Sequence, residues 1–174
     1  MKVTFAMTVL NGDFVLKQVL ESIYPFAYKV VISEGAVSYW VSKGVVASTD
    51  DTNKILHEFP DPENKITIIH GQHKEKTEQC QAYMKYVPED TEYLWCIDAD
   101  EVFKPDDIGK VIKVLEEDHP SVVGFRANTF FGGFDHILDG FIRKHSFKRV
   151  LKYEKGCIYA GHRQPTLTIG DKKP

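Results

Sequence analysis

Residues 93–101 read Tyr93-Leu94-Trp95-Cys96-Ile97-Asp98-Ala99-Asp100-Glu101. The first five side chains have the length and apolar character of a buried strand, and Asp98 ends it. Residues i and i+2 of an extended segment point the same way. On that geometry Asp98 and Asp100 reach one point in space, with small Ala99 between them. Two like charges this close call for a cation, and an all-oxygen ligand set suits Mg²⁺ or Mn²⁺. Mg²⁺ takes one or two protein carboxylates and completes its shell with substrate phosphates, which suits a nucleotide diphosphate. The plainer reading is that the acids cap the strand and open the loop before Pro105. An EF-hand loop is excluded, because the third ligand and the central glycine are missing.

Working back from this stretch, strand and helix patterns alternate. Residues 3–10 (VTFAMTVL) read as a buried strand broken by Asn11-Gly12-Asp13. Val15, Val19, Leu20 and Ile23 then share one helical face, and Pro25 ends that helix. Lys29 to Ser33 is a second strand. Gly35 to Ser48 has no period and reads as an inserted loop. Ser48-Thr49-Asp50-Asp51-Thr52 has the capping oxygens and first-turn acids of a helix start. Ile55, Leu56 and Phe59 supply its apolar face, and Pro60-Asp61-Pro62 stops it. Lys65 to His70 is a third strand, and Cys80, Tyr83, Met84 and Val87 form a third helical stripe.

Working forward, Ile108, Val111, Ile112 and Leu115 repeat the stripe after Pro105, and Ser121 to Ala127 reads as a fifth strand. The expected architecture is therefore α/β, a mostly parallel sheet flanked by helices, with ligands at the carboxyl ends of the strands. Those ends are Thr8–Asn11, Ser33–Gly35, His70–His73 and Asp98–Glu101. After Ala127 the pattern changes. Gly132-Gly133 and short apolar runs at Val150-Leu151 and Cys157 to Tyr159 predict loops and small strands, a smaller mixed C-terminal part.

With 174 residues, one domain is expected. An apolar share of 43% against 27% charged excludes a disordered chain. No apolar run approaches the roughly 18–20 residues that span a bilayer, and the N-terminus lacks the pattern of a signal peptide. A cytoplasmic location, including the membrane surface, follows as an expectation. The net charge of −3 argues against general nucleic-acid binding. The tail is different: from Phe141 onward nine Lys/Arg face two acids, a basic end suited to phosphates, anionic headgroups or an acidic partner. Cys80, Cys96 and Cys157 form no CxxC pair and read as small buried hydrophobes.

The order of motifs resembles glycosyltransferase family 2, with its GT-A (Rossmann-like) fold, over roughly Val3 to Leu167. Met7 to Asn11 looks like the opening strand and turn, whose end packs on the nucleotide base. Val31 to Gly35 looks like the second strand, whose acid meets base or ribose. Ser48 to Thr52 is similar to an S-T-D-G-T helix start, with Asp51 in place of Gly. Lys76 to Gln81 resembles a basic and amide-bearing helix start, and Asp98-Ala99-Asp100 a metal-binding DxD. Arg149 to Lys152, followed by Gly161-His162-Arg163, is similar to a late segment in which an arginine strand precedes a histidine.

The resemblance implies one GT-A domain over 1–174, with a nucleotide-sugar-binding half at 1–102 and an acceptor-side half at 103–174. The end at Gly170–Pro174 reads as cut, so part of the acceptor region is expected beyond it. It implies a metal-dependent inverting glycosyltransferase using Mn²⁺ or Mg²⁺ and a nucleotide-sugar donor, a UDP-sugar favoured. The acceptor is a glycan, a lipid-linked molecule or a protein. Donor-binding residues would be Thr8, Leu10, Asn11, Glu34, Lys76, Asp98, Arg149 and Arg163. Metal ligands would be Asp98, Asp100 and His162, with Glu101 orienting the pair. The base that takes the acceptor proton would be Asp135 or Asp139, Asp135 preferred. Phe130, Phe131 and Phe134 stand ready to stack on a sugar. Two alternatives remain. Asp98 to Val102 also resembles the DxDx[TV] element of haloacid-dehalogenase-type phosphatases, with Asp98 as nucleophile. The chain also suits a non-catalytic nucleotide-sugar-binding module.

Overall fold

The computed structural model describes residues 1–140, 144–161 and 165–169. Strand β1 (Val3–Val9) leads to helix α1 (Leu16–Ile23) and a short 3-10 turn, then β2 (Lys29–Glu34). A one-turn helix α2 (Ser38–Val41) and α3 (Thr52–Glu58) precede β3 (Ile66–His70). Helix α4 (Lys76–Met84), β4 (Tyr93–Asp98), α5 (Pro105–Asp118) and β5 (Val122–Phe125) follow. Strand β6 (Phe147–Lys152) and the small strands β7 (Ile158–Tyr159) and β8 (Leu167–Thr168) complete the order.

Six strands form one sheet in the order β3-β2-β1-β4-β6-β5, and β7 and β8 pair separately. β1 through β4 run parallel, and β6 is antiparallel to both neighbours. The alternation of inward side chains explains the layering. Phe5, Met7, Ile32, Trp95 and Ile97 face one side, where Leu16, Val19, Leu20, Leu56, Ile108 and Leu115 of α1, α3 and α5 cover them. Ala6, Val31, Leu94 and Cys96 face the other, under Cys80, Tyr83 and Met84 of α4 and the β7–β8 pair. Trp95 stacks between Phe5 at 4.9 Å and Phe125 at 5.3 Å, fixing the centre of the first core. All three cysteines are free and buried, and burial pushes the Cys96 thiol up to about 12.

The chain steps one way across the sheet from β1 to β3, then crosses to the far side of β1 to lay down β4. The covering helix changes face at that reversal. This is a topological switch point, and the crevice lies between the carboxyl ends of β1 and β4.

Three expectations change. The 35–48 loop contains α2, because Val37 bridges to His73 and the Ser38 N–H donates to the Lys74 carbonyl at 3.3 Å. The third helix starts at Lys76, where the resemblance put a helix start, but ends at Met84, so Val87 of the expected stripe lies beyond it. The fifth strand does not extend the parallel row, since β6 inserts between it and β4. No helix of the described residues is long and apolar enough to cross a membrane.

Candidate functional site

The register places the carboxyl ends side by side. Val9 pairs with Glu34, Glu34 with His70, and Thr8 with Asp98. Sequence reasoning named this edge, and the structure assembles it.

Residues 98–101 are not extended. The Glu101 N–H donates to the Asp98 carbonyl at 3.0 Å, closing a turn with Ala99 and Asp100 at its centre. The i and i+2 geometry expected for Asp98 and Asp100 therefore does not apply. Asp100 is exposed on the turn, and its carboxylate has no partner among the described residues.

Asp98 is neutralised by the protein itself. Lys76 Nζ, at the start of α4, donates to its Oδ1 at 2.5 Å, and Arg149 Nη2, from β6, donates to its Oδ2 at 2.9 Å. Arg149 also grips Glu101, with Nε donating to Oε2 at 2.8 Å and Nη2 donating to Oε1. Glu101 Oε2 accepts the Asp98 N–H at 3.2 Å, so the turn and its clamp are one unit. The Arg149 side chain is 9% exposed, whereas Lys76 is 39% exposed. Burial alone would lower the Arg149 pKa, but the Glu101 and Asp98 carboxylates outweigh it and raise it. Two cations against two anions leave this cluster neutral, with Asp100 adding a negative charge beside it. A narrow cleft lined by Thr8, Lys76, Tyr83, Asp98, Arg149 and Tyr159 opens next to it.

Of the two aspartates, Asp100 is the one whose carboxylate is open to a metal ion. Both Asp98 oxygens already face cations, and no group of three His, Cys, Asp or Glu gathers among the described residues. One exposed carboxylate suffices for Mg²⁺ when phosphates fill most of its shell. His162 and Arg163 lie outside the described residues.

The nucleotide side of the edge is held by loop-to-loop hydrogen bonds. Asn11 adopts φ 52°, a left-handed conformation that asparagine tolerates better than most residues. Its N–H donates to Ser48 Oγ at 3.0 Å, and its Oδ1 accepts the Thr49 N–H at 2.8 Å. The Gly12 N–H donates to Thr52 Oγ1 at 2.8 Å, and the Asp13 N–H to Asp50 Oδ2 at 3.2 Å. The oxygens of Ser48–Thr52 thus mainly tie α3 to the first turn; only Asp50 Oδ1, accepting the Thr52 N–H at 3.0 Å, serves the start of α3 itself. Burial pushes the Asp50 carboxyl up, but hydrogen bonds from Thr52 and Asp13 outweigh it and hold it below its ordinary value.

Glu34, expected to meet the base or ribose, is 1% exposed. Its Oε1 accepts the Ser48 N–H at 2.7 Å, and its Oε2 lies 3.0 Å from His70 Nδ1. Gly35 follows at φ 140°, where a Cβ would lie 1.8 Å from the Gly71 carbonyl oxygen. Gln79, which sequence reasoning missed, is buried under this bend. Its Nε2 donates to the carbonyls of Ser33 at 3.1 Å and Gly35 at 3.0 Å. Only its place three residues after Lys76, on the inward face of α4, hinted at this. Thr8 and Leu10 lie half-buried along the edge between these two groups.

The acceptor-side candidates lie elsewhere. Residues 129–138 form a hairpin, with Leu138 N–H donating to the Thr129 carbonyl at 2.8 Å and Phe131 N–H to the His136 carbonyl at 3.0 Å. Asp135 sits at its tip, 87% exposed. Asp139 instead lines a cavity of about 380 Å³ at the hairpin base, with Arg126, Ala127, Asn128 and Lys144.

The sequence pattern described as Glycosyl transferase family 2 matches residues 47–168. No curated protein matches the chain. Among solved structures, S. aureus TarS residues 1–349 superposes with a TM-score of 0.53 at 16% identity, over 76% of this chain and 37% of that one. It has also been solved with UDP and with UDP-GlcNAc. The 4-diphosphocytidyl-2C-methyl-D-erythritol synthase of Anaerococcus prevotii superposes with a TM-score of 0.53 at 10% identity, over 87% of this chain and 70% of that one. The chain thus spans about a third of the TarS fragment's length, and these likenesses establish the GT-A-like fold.

Proposed function

The chain belongs to glycosyl transferase family 2, and from that premise we propose that it transfers a sugar from a nucleotide diphosphate donor to an acceptor with inversion. The observation that carries the reading is the Lys76–Asp98–Arg149–Glu101 cluster at the switch point between β1 and β4. The UDP and UDP-GlcNAc complexes of TarS support a UDP-sugar as the donor class.

As the bond to the anomeric carbon breaks, the leaving diphosphate gains negative charge. Arg149 is committed to two carboxylates, so its task is to hold the Asp98 turn in place. Lys76 is the movable cation, since it is more exposed and makes a single ion pair. An arriving phosphate would compete with Asp98 for it, and the freed Asp98 oxygen would then accept a ribose hydroxyl. Asp100 would hold Mg²⁺ or Mn²⁺, which when bound supplies charge neutralisation on the diphosphate. Thr8, Leu10 and Asn11 would form the floor under the nucleoside. Glu34 would act from below, fixing Ser48 and so the rim, rather than touching the base. In this reading residues 1–102 serve the donor, with Arg149 of β6 bracing the Asp98 turn, and the rest of 103–174 serves the acceptor.

A single displacement needs a base for the acceptor hydroxyl. Asp139 is better supported than Asp135. It lines a cavity at the carboxyl end of β5, the same edge that carries Asp98. Two strand spacings, about 10 Å, separate β4 from β5. The match to glycosyl transferase family 2 speaks against the dehalogenase-type phosphatase. A binding module without transfer remains the second reading, separated by whether bound donor is turned over.

The test is a thermal-shift panel of nucleoside diphosphates with and without Mn²⁺, on wild type and Asp100→Ala. A ligand that binds the folded state raises the melting temperature by mass action. UDP should stabilise the wild type, Mn²⁺ should enlarge the shift, and Asp100→Ala should lose only that enlargement. A wild type indifferent to every nucleotide in the panel would refute the reading.

A further inference from the structure

Gln79 is a polar side chain with only 4% of its surface exposed, bonded to a strand far from it in sequence. Its Nε2 donates to the Ser33 carbonyl at 3.1 Å and to the Gly35 carbonyl at 3.0 Å. Both partners are acceptors, so the amide must turn its NH2 group to them, and both of its protons are used. The two carbonyls flank Glu34, the last residue of β2, where the chain bends at Gly35 with φ 140°. The Gln79 backbone N–H donates to the Glu75 carbonyl at 3.1 Å and closes the first turn of α4. No side-chain hydrogen bond caps that turn at Glu75. Lys76 stands three residues earlier, on the same face of the helix, and its Nζ donates to Asp98 Oδ1 at 2.5 Å. One side chain therefore joins the turn that carries Lys76 to the strand end that carries Glu34.

We propose that Gln79 is a positioning residue for donor binding: by fastening the first turn of α4 to the end of β2, it sets the place from which Lys76 reaches the diphosphate. This role rests on the donor reading above and adds the side chain through which the cation is aimed. A lysine ammonium rides on a flexible stem, yet it can pass from Asp98 to a phosphate only within the reach that its own Cα allows. Displacement of the turn by about 1 Å takes it out of hydrogen-bond range. Cys80, Tyr83 and Met84 pack the helix against the sheet, but apolar contact is non-directional and tolerates small slides and rotations. The two amide hydrogen bonds are directional, and they act at the end of the helix where Lys76 stands. Methionine at position 79 would keep most of the packing volume and remove both donors.

The experiment is a double-mutant cycle on UDP affinity, measured by calorimetric titration of the full chain as wild type, Gln79→Met, Lys76→Met and the pair. Gln79→Met should weaken UDP about tenfold, and Lys76→Met by a similar factor, about tenfold. The pair should bind within about twofold of Lys76→Met alone, because Gln79 then has no cation to aim. A Gln79 that served only the fold, or only the bend at Gly35, would lower the melting temperature and leave the two losses to multiply. Losses that multiply overturn the proposal, as does either single variant that binds UDP as tightly as wild type. Where Gln79→Met does not fold, Gln79→Asn takes its place in the cycle with the same outcomes, since it keeps the amide but is one methylene short of both carbonyls. Wild type that binds no nucleoside diphosphate overturns the donor reading and this role with it. Multiplying losses in a chain that does bind UDP overturn this role alone.

Discussion

The carboxyl edge of β1–β4 and the stretch from Arg126 to Lys144 are built on opposite plans. At the edge, polar groups point inward and each loop is held by another: Asn11 by Ser48 and Thr49, Glu34 by Ser48 and His70, Gly35 by Gln79, and Asp98 by Lys76 and Arg149. In the hairpin, apolar rings point outward and Asp135 stands in solvent. The polar groups of the edge are fixed by the protein's own hydrogen bonds, which is what electrostatic preorganisation requires. In the hairpin, Phe130 and Phe134 meet edge to face, and most of the Phe131 and Phe134 ring surface stays in solvent.

The comparison breaks most readily at Gly35. Alanine there would set a methyl 1.8 Å from a backbone oxygen, at a φ of 140° that side chains rarely adopt. Neither β2 nor the Gly71 backbone can yield without losing sheet pairing. The expected cost is about 3–5 kcal/mol, read as a lower urea midpoint. A cost below about 1 kcal/mol would mean the edge is more pliant than a preassembled site allows.

Arg149→Met comes next. It leaves Glu101 and one Asp98 oxygen without their cation. The side chains of Glu101 and Asp98 are 25% and 37% exposed, so water recovers part of the loss. About 2 kcal/mol is expected, less than for a fully buried pair. Donor affinity should fall with it, because the Asp98 turn loses its anchor. If donor affinity falls while stability holds, Arg149 contacts the diphosphate directly, and the division between Arg149 and Lys76 is reversed.

A smaller effect appears in acid. The Asp50 carboxyl sits below its ordinary pKa, despite burial, because Thr52 and Asp13 donate to it. Asp61 is held down in the same way, against burial, by the N–H groups of Ile66 and Lys65 and by the Tyr24 hydroxyl. A carboxyl depressed in the folded state contributes stability above its unfolded pKa. That contribution is lost as pH falls through the folded pKa, hence from about pH 4 downward. Asp50→Asn should therefore flatten the acid limb of the stability profile by lowering stability at neutral pH, where wild type has the whole contribution, and should match wild type once Asp50 is protonated. A profile of unchanged slope would show that the tie between α3 and the first turn does not depend on ionised Asp50.

Much of the edge was legible, and the reason is periodicity. Strands buried on both faces announce themselves as short apolar runs, so β1 to β4 and the residues that end them followed directly from sequence. What was not legible depended on partners far along the chain. Asp98 and Glu101 are neutralised from β6, 51 and 48 residues away, and no spacing rule joins them. The oxygens of Ser48–Thr52 had the composition of a helix cap, yet tertiary structure gave most of them to the neighbouring turn. The acid pair was read as extended, but a turn follows β4, and turn geometry is not encoded in Asp-Ala-Asp. Strand β5 is four residues with Gly124 inside it, and nothing local shows that a strand more than twenty residues later will insert beside it.

The smallest expected change, Phe134→Ser, bears on the hairpin half of the comparison. A ring that is 74% exposed has little apolar burial to lose, and the turn beneath it is closed by backbone hydrogen bonds that serine leaves intact. Its contact with Phe130 is an exposed edge contact. Unfolding free energy should therefore move by less than about 0.5 kcal/mol. The same deletion inside either core would cost about 3–5 kcal/mol. A loss above about 1.5 kcal/mol would mean that the tip packs against the body of the protein in solution. The rings would then be an internal contact.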